Sequence, residues 1–236
     1  MTSQSQGMLD ACTAGDVVDL QRRFDTNNIQ NSDPVYQNST SGPPPVNSML
    51  VAAITHGHVD VVSLILRTYS GRNVQFTSET IEALLHHPNL DILQTLYEYD
   101  PFIVSFEWDG HTDTFVTKAC AQPPNKITPL LLWLIEHDAD LEGGHFPRTL
   151  CNAIFGDQTL GVIEAMVNKG AQVSTLAMRQ AVVCERIDVM NLFVSRGMKV
   201  DADDAAYLRS EAEQTGNEEA IQIVKKWTSN KSCVVS

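Results

Sequence analysis

The feature that most constrains this chain is a repeat. Four segments align without a gap on a tight-turn residue: DILQTLYEYDPFIV on Asp100, TPLLLWLIEHDADLE on Asp138, TLGVIEAMVNKGAQV on Gly170 and RIDVMNLFVSRGMKV on Gly197. Eight and seven residues before the turn stand Ile92-Leu93, Leu130-Leu131, Val162-Ile163 and Val189-Met190. Four and three before it stand Leu96-Tyr97, Leu134-Ile135, Met166-Val167 and Phe193-Val194. That spacing gathers the apolar residues on one helix face. Three places after the turn an apolar residue recurs, as Ile103, Leu141, Val173 and Val200. Gly, or Asp in its stead, suits the left-handed backbone that ends many helices. Helices this short cannot bury their own faces, so each unit must stack on neighbours of its own kind.

A second helix repeats by a weaker rule, an apolar residue three before a small one: Met8/Ala11, Leu50/Ala53, Val116/Ala119, Leu150/Ala153 and Met178/Ala181, with Leu84 where the third unit's alanine would stand. From Ala11 to Ala181 the mean step is 34 residues. A small residue there lets two helices approach closely. The stretch MLVAAITHGHVDVVSLIL, Met49 to Leu66, holds both helices of one unit around the pair Gly57-His58.

AAITHGHVDVV resembles the Ala-Ala-x-x-Gly-His-x-x-Val-Val core of the ankyrin repeat, and DADLE, GAQVS and GMKVD resemble its Gly-Ala-Asp-Val-Asn turn. The ankyrin period is about 33 residues. The resemblance covers about residues 6–227. It implies an all-α, ankyrin-type helical repeat solenoid of about seven helix-turn-helix units, a single domain over 1–236. The polar first unit, MLDACTAGDVVDLQRRF, and last unit, AAYLRSEAEQTGNEEAIQIVKKW, serve as caps. The family's Thr-Pro-Leu-His opening is replaced by SMLV, TFVT, RTLC and LAMR, so packing is expected to carry cohesion that hydrogen bonds supply elsewhere in the family.

Three stretches depart from the period. Residues 25–47, rich in Asn, Ser and Pro, read as a long irregular loop between the first two units. CAQPPNKITP replaces a Gly-His turn and forces a break that should set the fourth unit slightly off the stack. Residues 228–236 read as a flexible tail.

With 16 Lys+Arg against 29 Asp+Glu the formal charge is −13, which repels nucleic acid and anionic lipid and favours a basic partner surface. Five cysteines without a CxxC pair argue against a disulfide framework and a structural zinc site. The longest apolar run, LLLWLI, is too short to span a bilayer, and the opening MTSQSQGMLDA lacks signal-peptide character, so the expected location is cytoplasmic, with the nucleus as the other compartment. Gly-rich phosphate loops, HExxH and GxSxG are absent, so no cofactor, metal or catalytic residue is assigned. His58 reads as a hydrogen-bonded turn residue. His56, His86, His87 and His137 read as structural.

The loops between units read NVQFTSE, VSFEWDGHTD and LEGGHFPRT. They place Phe76, then Phe106 with Trp108, then Phe146 at comparable positions, interleaved with Asp109, His111, Asp113 and His145. Apolar anchors among polar orienting groups are the composition of a partner-binding surface, although such aromatics also cover loop roots. The resemblance implies a protein-binding adaptor or inhibitor that uses this finger-loop and concave surface. The alternative is an isomerase or cyclase in which Asp109, His111, Asp113 and His145 transfer protons. Finally, Cys233 begins the tetrapeptide CVVS, a prenylation pattern, and is a candidate lipidation site; only then would weak membrane association follow.

Overall fold

The computed structural model describes residues 3–37, 42–108, 113–143, 149–198, 200 and 202–229. It is all-helical: among the described residues there are fourteen α-helices, two 3₁₀ turns and no strand, only an isolated antiparallel bridge between Glu107 and Thr114. The chain divides into two compact units, Met1–Phe106 and Glu107–Ser236.

The first unit holds three helix pairs: α1 (Ser3–Ala14) with α2 (Val17–Thr26), α3 (Val46–Thr55) with α4 (Val59–Thr68), and α5 (Ser78–His86) with α6 (Leu90–Tyr99). First members pack on first members, α1 on α3 and α3 on α5, and second on second, α2 on α4 and α4 on α6. The residues that face these contacts are those of the repeat. Met8, Ala11, Leu50, Ala53, Ile81 and Leu84 are buried along the first helices, and Val61, Ile65, Ile92 and Leu96 along the second.

The second unit repeats the scheme with α7 (Phe115–Cys120) and α8 (Pro124–Glu136), α9 (Thr149–Phe155) and α10 (Leu160–Asn168), α11 (Thr175–Val183) and α12 (Ile187–Ser195), and α13 (Ala202–Thr215) and α14 (Glu218–Ser229). Here α7, α9, α11 and α13 pack in series, as do α8, α10, α12 and α14. Ala119, Ala153 and Ala181 are fully buried, as the small-residue rule requires. The last pair closes the unit with Leu208, Ala212, Ala220 and Val224, and Trp227 donates its indole N–H to the Met198 carbonyl at 2.8 Å.

Local chemistry sets where helices start and stop. Asn89 caps α6 by accepting from Asp91 N and Ile92 N, and Thr159 and Ser174 cap α10 and α11 in the same way. Asp138, Gly170 and Gly197 end their helices with positive φ. Asp100 does not: its φ is −141°, because the following Pro101 confines it to extended backbone. Its carboxylate instead accepts from Phe102 N at 3.0 Å and caps the 3₁₀ turn Pro101–Ser105. In the fourth pair Pro124 occupies the first turn of α8, where a missing N–H is harmless, and the helix runs on through Pro129. This pair stays packed on the next through α7 against α9 and α8 against α10.

Hydrogen bonds do tie successive pairs, from the turn that Gly57-His58 occupies in the second pair. In the turn between paired helices, Gly15, Gly57, Asp157, Glu185 and Gly216 are left-handed, and the next residue reaches back toward the preceding turn in four of the five. His58 Nε2 meets the Thr13 carbonyl at 2.9 Å, and Gln158 Nε2 donates to the carbonyls of Cys120 and Gln122. Arg186 Nη1 donates to Asp157 at 3.1 Å and Asn217 Nδ2 to Glu185 at 2.8 Å. His58 thus takes the structural role its position suggested.

The long insertion lies between Thr26 and Val46, and part of it is tied down. Ile29 is buried, and the Arg72 guanidinium donates to the carbonyls of Ile29, Gln30 and Ser32. The Tyr36 hydroxyl donates to the Asn73 carbonyl at 3.4 Å and accepts from Gln75 N at 3.1 Å. Of the cysteines, Cys12, Cys120, Cys151 and Cys184 are free thiols. No described helix is long and apolar enough to cross a membrane.

Candidate recognition surface

In the first unit, the loop residue Phe76 is half-buried, its ring 6.1 Å from that of Tyr99 at a tilt of 56°. The backbone beside it is fixed from several elements. The Tyr99 hydroxyl accepts from Val74 N at 2.9 Å and donates to the Tyr69 carbonyl at 3.3 Å. Asn47 donates to the Gln75 carbonyl at 3.0 Å while its oxygen accepts from the buried Thr80 hydroxyl at 2.8 Å. Phe106 is half-buried and donates its N–H to the Ile103 carbonyl at 3.1 Å, closing the 3₁₀ turn.

In the second unit, Trp108 N donates to the Asp113 carbonyl at 3.0 Å, and the bridge from Glu107 to Thr114 continues the pairing. Thr114 and Thr117 then form a reciprocal capping box that starts α7. One turn into α7, the Lys118 ammonium lies 4.5 Å from the centre of the Trp108 ring and 4.0 Å from an Asp113 carboxylate oxygen. A cation–π contact and an ion pair therefore hold the two arms of the finger on one lysine. Of the residues expected at this surface, Phe76 and Phe106 sit in the first unit and Trp108 and Asp113 meet in the second. Asp109, His111, His145, Phe146 and the candidate lipidation residue Cys233 lie outside the described residues.

Two exposed aromatics were not anticipated, Phe102 at 82% and Phe155 at 74% exposure. The alignment carried a signal for each. Two places after the turn, where Phe102 stands, the other units have Asp140, Gln172 and Lys199. Phe155 stands where the first two units have Thr13 and Thr55.

The concavities differ in kind. In the first unit an open groove of about 520 Å³ runs between α2 and α4, lined by Val17, Val18, Gln21, Leu64 and Arg67 among others. In the second, a pocket of about 230 Å³ by Asp138, Glu142 and Lys169 has its polar groups already paired. Lys169 donates to Asp138 at 2.8 Å, which holds that carboxyl below its ordinary range, and Glu142 accepts from Gln172 N at 2.7 Å. Among the described residues no three of His, Cys, Asp and Glu converge as a metal site requires. The chain matches no family model and no curated protein sequence.

Proposed function

We propose that the protein is an ankyrin-type repeat module that binds a partner polypeptide through its finger loops, as an adaptor or inhibitor. Helix pairs in two packed series, a mean repeat of 34 residues and left-handed turn residues support the ankyrin reading. The observation that carries the binding function is the closure of Trp108 on Asp113 under Lys118. It fixes a half-buried aromatic in one place before any ligand arrives, which lowers the ordering cost of binding. The formal charge of −13 steers association toward a partner with a basic surface and away from nucleic acid. Buried free thiols suit a reducing compartment such as the cytoplasm.

The test is capture of lysate proteins on the immobilised chain, with Trp108→Ala in parallel. Polypeptides retained by the parent chain are expected to be lost from the variant and eluted by salt, while the circular-dichroism spectrum and melting temperature stay the same. Equal retention by the two proteins would overturn the finger as the binding element.

A further inference from the structure

We infer that the interhelical turns of the second unit form a separate docking edge for a basic, amphipathic helical segment of a partner protein. This goes beyond the finger-loop reading and does not depend on it. The finger leads into the N-terminal end of α7, whereas these turns lie at the C-terminal ends of the first helices.

Aligned on their left-handed residues, the turns carry Thr13, Thr55, Phe155, Val183 and Gln214 two places earlier. The position faces solvent: Phe155 is 74% exposed and Val183 47%. A polar residue is the expected occupant, and the first unit has threonine twice. The second unit has instead placed a phenylalanine and a valine there in consecutive pairs. They end α9 and α11, which pack on each other, so the two apolar side chains are presented on neighbouring turns. Leu160, which starts α10 after the same turn, is also 38% exposed.

The turns themselves are fixed. Gln158 is bonded to the turn before it, Arg186 to Asp157 and Asn217 to Glu185. The rim is acidic, with Asp157, Glu185, Glu213 and Glu218 exposed. Arg186 is the one basic residue in turns 155–158, 183–186 and 215–218. Its side chain is only 12% exposed and is paired with Asp157 and Asp188. An incoming ligand therefore meets apolar side chains among carboxylates with no accessible cation at these turns, which selects lysine and arginine around an apolar stripe.

Spacing favours a helix. Packed helices lie about 10 Å apart, and seven residues of α-helix rise about 10 Å. Apolar residues seven apart on the ligand would reach Phe155 and Val183 together.

The experiment uses the full chain and a labelled synthetic helix of leucine and lysine with leucines on one face, read by fluorescence anisotropy. A scrambled peptide of the same composition and a leucine–glutamate helix serve as controls. The lysine helix is expected to bind about tenfold more tightly than either control, and Phe155→Thr with Val183→Thr to weaken it about tenfold. Those threonines already occupy this position in the first unit, so the helical spectrum should not change. Trp108→Ala should leave binding of this probe intact, which separates this edge from the finger. The inference is overturned if the scrambled peptide binds equally well, if the double variant binds like the parent, or if the lysine helix does not bind.

Discussion

The side-chain amide of Gln158 donates to the backbone carbonyl of Cys120 at 2.8 Å across 38 positions of sequence. Cys120 ends α7, and its carbonyl is one of those that a helix terminus leaves without an internal partner. The same nitrogen also reaches the Gln122 carbonyl at 2.8 Å. One fully buried glutamine thus completes the helix end of the preceding pair. Gln158→Leu should destabilise the second unit by about 1–3 kcal/mol. The check is the midpoint of urea denaturation, and an unchanged midpoint would show that the two bonds contribute nothing.

Neighbouring turns also leave no room for a methyl group at Gly156. A Cβ there would sit 2.0 Å from the Cys120 carbonyl oxygen, whereas at Gly197, with φ of +68°, it would meet open space. Gly156→Ala is expected to cost about 3 kcal/mol through forced backbone movement. Gly197→Ala should cost about 1–2 kcal/mol from conformation alone. Parallel denaturation of the two variants checks this order, and the reverse order would refute the close approach of the turns.

Arg186 gives a pH-dependent case. Its hydrogen bond to Asp188 holds that carboxyl below the ordinary range against the opposing effect of burial. A carboxyl depressed on folding contributes stability above its unfolded value of about 3.9 and loses it as pH falls through the lower folded value. Arg186→Met should therefore cost about 1 kcal/mol near neutral pH, the small size reflecting the exposure of Asp188 and Asp157. The gap between variant and parent should narrow in acid. Denaturation curves at neutral and acidic pH decide it, since a constant gap would mean that Arg186 acts only by packing.

The thiols are expected to differ in reactivity. Burial pushes Cys12 up to about 12 and raises Cys120 further, while Cys184 is only half-buried. At mildly alkaline pH the thiolate fraction of Cys12 is about one in ten thousand. Among the four described cysteines, brief treatment of the native protein with iodoacetamide should label Cys184 first, with Cys12, Cys120 and Cys151 reacting only after urea is added. Peptide-level mass spectrometry reads the order.

The repeat was legible because periodicity reports burial directly. Ile92-Leu93, Leu130-Leu131, Val162-Ile163 and Val189-Met190 are all fully buried, as their common spacing required. The alanine rule held for the same reason. What escaped the sequence depends on contacts that no local pattern encodes. Arg72 is held to the insertion about forty residues before it. His58 was readable from its Gly-His position, but Gln158, Arg186 and Asn217 take the same role with other side chains, so residue matching passes over them. Asp100 looked like Asp138 until its proline neighbour is considered. At the finger, Trp108 and Asp113 were readable as surface residues, but not the lysine one helical turn further on that joins them.

The pairwise stacking of helices also governs how the second unit folds. Each main contact among its described residues joins a helix to its own partner, to the corresponding helix of the next pair or to the helix that follows it, so these contacts close loops of about one repeat or less. The entropy of closure rises only with the logarithm of loop length, and low contact order speeds folding. A nucleus of two adjacent pairs can therefore form anywhere along the unit, and structure spreads outward from it as a moving front. Where that front crosses from α7 and α8 to α9 and α10, the bonds from Gln158 to the Cys120 and Gln122 carbonyls are among the contacts that join one pair to the next.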